Sequence, residues 1–133
     1  MITYKLHLIR HGQTEGNQKG LFVGRTDMPV SEEGFDELSR LRDTYEYPRV
    51  GAVYTSPLRR CLQTAEFLYP NNMLTVVDDL QEMDFGAFEG DAGFQGFKDE
   101  IIMPCFSVFC YYFLTHGVSS SSCLMISCWR MVF

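Results

Sequence analysis

Charge is what the last third of this 133-residue chain lacks. Of its 28 charged residues, 23 precede residue 91, and only Arg130 follows Glu100. Elements without a charged face do not keep themselves soluble, so residues 1–90 read as the patterned part of a fold and 91–133 as a divergent tail. A bilayer-length apolar run is missing too. The longest, Ile101–Leu114, has 14 residues interrupted by Pro104 and Ser107, short of the roughly 20 that span a membrane. Positive charge is in deficit: the net charge is −6, which disfavours non-specific binding to nucleic acid or anionic lipid. No paired cysteine framework is present. Cys61 stands alone while Cys105, Cys110, Cys123 and Cys128 crowd the tail, and neither an odd count nor these spacings matches a disulfide or zinc pattern. Buried free thiols are expected. The opening Met1-Ile2-Thr3-Tyr4-Lys5 carries no basic and apolar leader, so the expectation is a soluble cytoplasmic protein. The oligomeric state leaves no signal.

What is present is ordinary globular composition, 46% hydrophobic and 21% charged, at a length that fits one domain over 1–133. Residues 3–10 place Tyr4, Leu6 and Leu8 on one face and Ile9 on the other, predicting a mostly buried strand. Ser31 is a plausible helix N-cap, followed by Glu32 and Glu33 and an apolar stripe of Phe35, Leu38 and Leu41. Residues 50–55 predict a second strand. Ser56-Pro57 then opens a helix whose Leu58, Cys61, Leu62, Ala65 and Leu68 fall on one face. Leu74–Leu80 contains a third strand. Strand, helix, strand, helix, strand predicts a mainly parallel α/β sheet in a three-layer sandwich.

Ligands of such sheets bind beyond the carboxyl ends of the strands. Arg10-His11-Gly12 ends the first strand, Arg59-Arg60 opens the helix after the second, and Glu82 follows the third. Two guanidinium forks match the oxygens of a phosphoryl group. A neutral imidazole attacks phosphorus as a nucleophile, and Gly12 allows close backbone approach. A carboxylic acid of raised pKa protonates the leaving oxygen and later activates water. His7 reads as a strand residue, Arg59 as a surface charge, and Asp27, Asp78 and Asp79 as turn and capping acids. Ser119–Ser122 reads as a flexible loop, and Phe85, Phe88, Phe94 and Phe97 as core or lid aromatics.

Leu8 through Asn17 (LIRHGQTEGN) resembles the opening motif of the histidine phosphatase superfamily, the phosphoglycerate-mutase-like fold. Phe22–Asp27, Ser31–Gly34, Ser56–Ala65 and Leu80–Gly90 resemble its next motifs in order. The resemblance implies that His11 is the phosphorylated nucleophile, Arg10 and Arg60 phosphate clamps, and Glu82 the proton donor. Asn17 would hold phosphate or substrate, and Gly24 would lie in the loop beside the pocket. The implied activity is hydrolysis of a small phosphorylated metabolite with no metal or other cofactor; Asp84 and Glu89 beside Glu82 are not read as metal ligands. The motifs look more like those of small phosphatases such as α-ribazole phosphatase than those of mutases, which usually carry an aromatic where Gly16 stands. Phosphoglycerate-mutase-type transfer is the alternative.

The family's second histidine, in a His-Gly motif after a later strand, has one candidate here: His116, preceded by the strand-like Val108–Leu114. The segment between Glu82 and His116 is far shorter than the family's. The expectation is therefore a truncated or frame-disrupted tail and, as a further alternative, a catalytically impaired phosphate-binding or interaction module.

Overall fold

The computed structural model describes residues 5–92 and 122–127. Their elements run β1 (Lys5–Arg10), α1 (Glu15–Gln18), α2 (Glu32–Thr44), β2 (Ala52–Thr55), α3 (Arg59–Leu68), β3 (Leu74–Val76) and β4 (Ser122–Ser127). Short 3₁₀ turns cover Asp78–Leu80 and Gly86–Phe88. The four strands form one parallel sheet in the order β1-β4-β2-β3. This is the parallel α/β architecture the sequence predicts.

The third strand falls inside the expected range and stops at Val76, because Asp78 and Asp79 open a 3₁₀ turn. One boundary differs from expectation. Helix α3 starts at Arg59, with Leu58 as N-cap and no side-chain cap. Ser56 is not its cap; the Ser56 hydroxyl accepts the Leu58 N–H at 3.4 Å. Ser31 does cap α2, accepting the N–H of Gly34 at 3.1 Å.

The larger surprise is β4. Ser122 belongs to this strand rather than to a serine loop, and Lys5–Arg10 pair with Ser122–Ser127 while Ala52–Thr55 pair with Cys123–Ile126. A central strand of a parallel sheet is covered on both faces and reads as a continuous apolar run without alternation. Cys123-Leu124-Met125-Ile126 has that character.

The core lies between the sheet and α3, where Val53, Leu58, Cys61, Ala65, Leu68 and Tyr69 are buried together and Ile9 packs against them. Each fully buried aliphatic side chain contributes about 1.5–3 kcal/mol, so this cluster anchors β1 and β2 to one helix. Helix α2 joins α3 through the Phe35–Phe67 ring pair, 5.8 Å between centroids, and through Arg42 over Phe67 at 4.5 Å. Both helices therefore occupy one face of the sheet. On the other face Leu6 and Leu8 are 40% and 44% exposed, so among the described residues β1 is covered on one side, not mostly buried. The third layer of the predicted sandwich is a reading that lies outside the described residues.

Candidate active site

The parallel order sends the carboxyl ends of β1, β4 and β2 to one edge, where Arg10 lies in register with Ser127 and Thr55 with Ile126. His11 leaves β1 there and is 8% exposed. Its Nδ1 lies 2.7 Å from the carbonyl of Gly12. A carbonyl only accepts, so Nδ1 carries the proton and Nε2 keeps the free lone pair. Burial lowers the imidazole pKa from 6.5 to about 4; the Gly12 carbonyl raises it, and Arg60 and Arg10 lower it further. The ring is neutral at pH 7, the form a nucleophile requires.

The loop that holds His11 is fixed from two sides. Gly12 N–H donates to Thr64 Oγ1 at 2.9 Å on α3, and the Gln13 carbonyl accepts the N–H and hydroxyl of Ser31 at 2.9 and 3.2 Å. A Cβ on Gly12 would lie 2.8 Å from Leu38 Cδ1 and 3.0 Å from Val30 Cγ1. The close approach of α2 thus gives this glycine a packing role besides the one expected of it. Asn17 belongs to α1, where its Oδ1 accepts the N–H and hydroxyl of Thr14, each at 3.0 Å, in a capping box. With Arg10, His11, Glu37, Leu38 and Tyr47 it lines a cleft of about 530 Å³. Arg60 and Glu82 are not part of that lining.

Arg60 is 1% exposed. Its Nη1 donates to the Thr26 carbonyl at 2.9 Å and its Nη2 to the Gly24 carbonyl at 2.6 Å, while Nε is buried with no partner among the described residues. A buried guanidinium donor without an acceptor is costly, and an anion would satisfy it. Arg10 is exposed, and its charge acts on both His11 and Glu82. Glu82 is half-buried. Desolvation raises its pKa, opposed by the Met83 N–H and by the charges of Arg60 and Arg10. His11, Arg10, Arg60 and Glu82 thus form one electrostatic neighbourhood. Gly24 is buried in the loop whose carbonyls meet Arg60, where a Cβ would collide with the Met83 carbonyl. His116 lies outside the described residues, as do Val108–Leu114; β4, the described strand beside β1, begins after His116 in the chain.

Arg59 is the exposed charge expected of it, but its N–H donates to Asp27 Oδ1 at 2.7 Å, so Asp27 supplies the cap that α3 lacks locally. Two contributors escape the sequence: Thr64, whose hydroxyl ties α3 to the His11 loop, and Glu89, whose carboxylate takes up the N–H groups of Gly24, Arg25, Thr26 and Phe85. Asp84 Oδ1 accepts the Gly86 N–H at 2.8 Å. Phe85 meets Phe22 edge-on at 5.7 Å, and Phe88 is 47% exposed. Phe94 and Phe97 lie outside the described residues. No helix among the described residues is long and apolar enough to cross a membrane.

A neutral imidazole flanked by arginines at the carboxyl edge of a parallel sheet has a known setting. Residues 6–96 match the histidine phosphatase superfamily (branch 1), and the chain belongs to that family. It is 41% identical over 90 residues to a candidate phosphoserine phosphatase of Hydrogenobacter thermophilus, covering 65% of this chain and 43% of that protein. Its fold is similar to the α-ribazole phosphatase of Shigella flexneri (TM-score 0.69, 22% identity, 92% of this chain and 72% of that one). It is also similar to a phosphoglycerate mutase of Thermus thermophilus (TM-score 0.70, 25% identity, 92% and 76%). The chain spans less than half the length of the curated relatives it matches.

Proposed function

We propose that this site hydrolyses a small phosphomonoester through a phosphohistidine at His11. The observation that carries the reading is the neutral, buried imidazole, with Nδ1 held by Gly12 and Nε2 free, in the field of Arg10 and Arg60. Nε2 attacks phosphorus, the N–P bond forms, and the P–O bond to the leaving group breaks. The raised pKa of Glu82 supports its role in giving that oxygen a proton. Water then attacks the phosphohistidine and returns a proton to Glu82, releasing inorganic phosphate. Arg10 and Arg60 bind the phosphoryl oxygens, the orphaned Nε of Arg60 taking one of them. Asn17, with its Oδ1 committed to the cap, presents an amide donor along the cleft.

Phosphatase is favoured over mutase by Gly16. It is buried, and a Cβ there would lie 2.5 Å from Val23 Cγ2, leaving no room for the aromatic that mutases usually carry. A catalytically impaired phosphate-binding module is the second reading, favoured because the strand paired with β1 is Ser122–Ser127, which follows His116 in the chain, so His116 does not end it. Turnover of an aryl phosphate separates the two. The wild type releases phosphate and His11→Ala does not, whereas equal rates in both remove the phosphohistidine. Phosphate binding without turnover, abolished in Arg10→Ala, selects the module.

A further inference from the structure

Glu89 hydrogen-bonds none of the four reacting groups, although its charge helps to raise the Glu82 pKa, and its carboxylate gathers four backbone amides and a hydroxyl. It accepts the N–H of Gly24 at 3.1 Å to each oxygen, of Arg25 at 2.8 Å, of Thr26 at 3.3 Å and of Phe85 at 3.2 Å, and the Thr26 hydroxyl at 2.6 Å. Hydrogen bonds to an ionised acceptor are roughly twice as strong as neutral ones. Three successive N–H groups converging on one carboxylate fix the orientation of the peptides between them.

The far side of the same loop meets Arg60. The peptide joining Gly24 to Arg25 gives its N–H to Glu89 and its C=O to Arg60 Nη2. In a planar trans peptide these two groups point in opposite directions. Glu89 and Arg60 therefore sit at the two ends of one peptide dipole, each polarising it in the sense the other needs. The Thr26 carbonyl holds Nη1, so the guanidinium is gripped at both terminal nitrogens. Only glycine admits this geometry at residue 24, since a Cβ would collide with the Met83 carbonyl and lie 2.6 Å from Glu89 Oε1.

We propose that Glu89 is a positioning residue for Arg60: through the Gly24–Thr26 loop it builds the backbone cradle that fixes the guanidinium and keeps its Nε–H, which has no acceptor among the described residues, for a phosphoryl oxygen. The functional consequence rests on the phosphate-binding reading above; the mechanical link does not.

The test uses the full chain and two readouts. The first is solvent exchange of the Arg60 Nε–H, followed by nitrogen-15 NMR without any ligand. The second is calorimetric affinity for inorganic phosphate. Glu89→Gln keeps the shape but replaces one acceptor oxygen with a donor group, and Thr26→Val removes only the hydroxyl. The Arg60 Nε–H is expected to exchange faster in Glu89→Gln and to a smaller degree in Thr26→Val, while the amides of α3 stay protected. Phosphate affinity is expected to fall about tenfold in Glu89→Gln and by less than about twofold when Arg60 is already alanine, the signature of a shared pathway. An unchanged Nε–H, or the same fold-loss in both backgrounds, overturns the proposal. If the Arg60→Ala protein does not fold, the ligand-free exchange decides. A wild type without turnover whose Nε–H still responds to Glu89→Gln refutes the phosphatase reading and leaves the positioning intact. An active enzyme with an indifferent Nε–H does the reverse.

Discussion

The hydroxyl of Thr64 accepts the Gly12 N–H at 2.9 Å and donates to the Arg60 carbonyl at 2.7 Å. One fully buried side chain, 0% exposed, thereby links the loop of the nucleophile to the helix that carries the clamp. The separation of His11 from Arg60 is set by this bridge and not by the length of the chain between them.

Thr64→Val keeps the volume and removes the bridge. The Gly12 N–H is left buried without its acceptor, a loss of about 1–3 kcal/mol. Urea unfolding is expected to show that loss, with phosphate release falling alongside it. Stability equal to the wild type would mean that the loop finds another acceptor.

His11 makes the fold acid-sensitive. Its folded pKa of about 4 lies below its ordinary 6.5, so the unfolded chain takes up a proton that the native state refuses. The stability His11 contributes is intact above pH 6.5 and is lost as pH falls toward 4. At 1.36 kcal/mol per unit this amounts to about 3 kcal/mol between pH 7 and 4. Glu82, raised by desolvation, works in the opposite sense and is common to wild type and variant. Unfolding free energies of wild type and His11→Gln, compared at pH 7 and 4.5, are expected to diverge in slope. Parallel pH profiles would count against a buried neutral ring.

Gly34 sets two effects against each other. Alanine is favoured over glycine inside a helix by about 1 kcal/mol. Here, however, a Cβ would run into the Gln13 carbonyl and lie 2.9 Å from Val30 Cγ1. Overpacking of this kind costs about 1–3 kcal/mol, and the obstacle is backbone behind His11, which does not swing aside. Gly34→Ala is expected to lower the melting temperature despite better helix propensity; a rise would show that α2 can slide.

Asp27→Ala removes the side-chain acceptor of the Arg59 N–H, the first amide of α3. Loss of a capping carboxylate costs about 1 kcal/mol, read as a shift of the urea midpoint at constant slope. Amide exchange is expected to quicken at Arg59 first.

Local pattern makes much of this legible. The apolar faces of α2 and α3, the Ser31 cap and the strand–helix alternation all depend on neighbours within a few residues, and each is readable from the sequence. What escapes depends on distant partners. Asp27 caps a helix that starts at Arg59, and nothing near Ser56-Pro57 announces it. Glu89 is weighed in the sequence only as a metal ligand, because its donors come from distant Gly24–Thr26 as well as from nearby Phe85. β4 carries neither charge nor alternation, so the features that mark a half-exposed strand are absent from it. The cluster of His11, Arg10, Arg60 and Glu82 follows from the strand ends, whereas its scaffolding of Thr64 and backbone carbonyls does not.

The sheet order has a consequence for synthesis. Because β4 stands between β1 and β2, the first-made strand has no described neighbour until Ser122–Ser127 has left the ribosome. Until then, among the described residues, β1 and β2 each lack the partner that fills the gap between them, and open edges recruit other chains. Joining Lys5 to Ser122 also closes a long loop, a slow step for any nascent protein. Translation that pauses before that segment therefore exposes the molecule to aggregation at its most vulnerable moment.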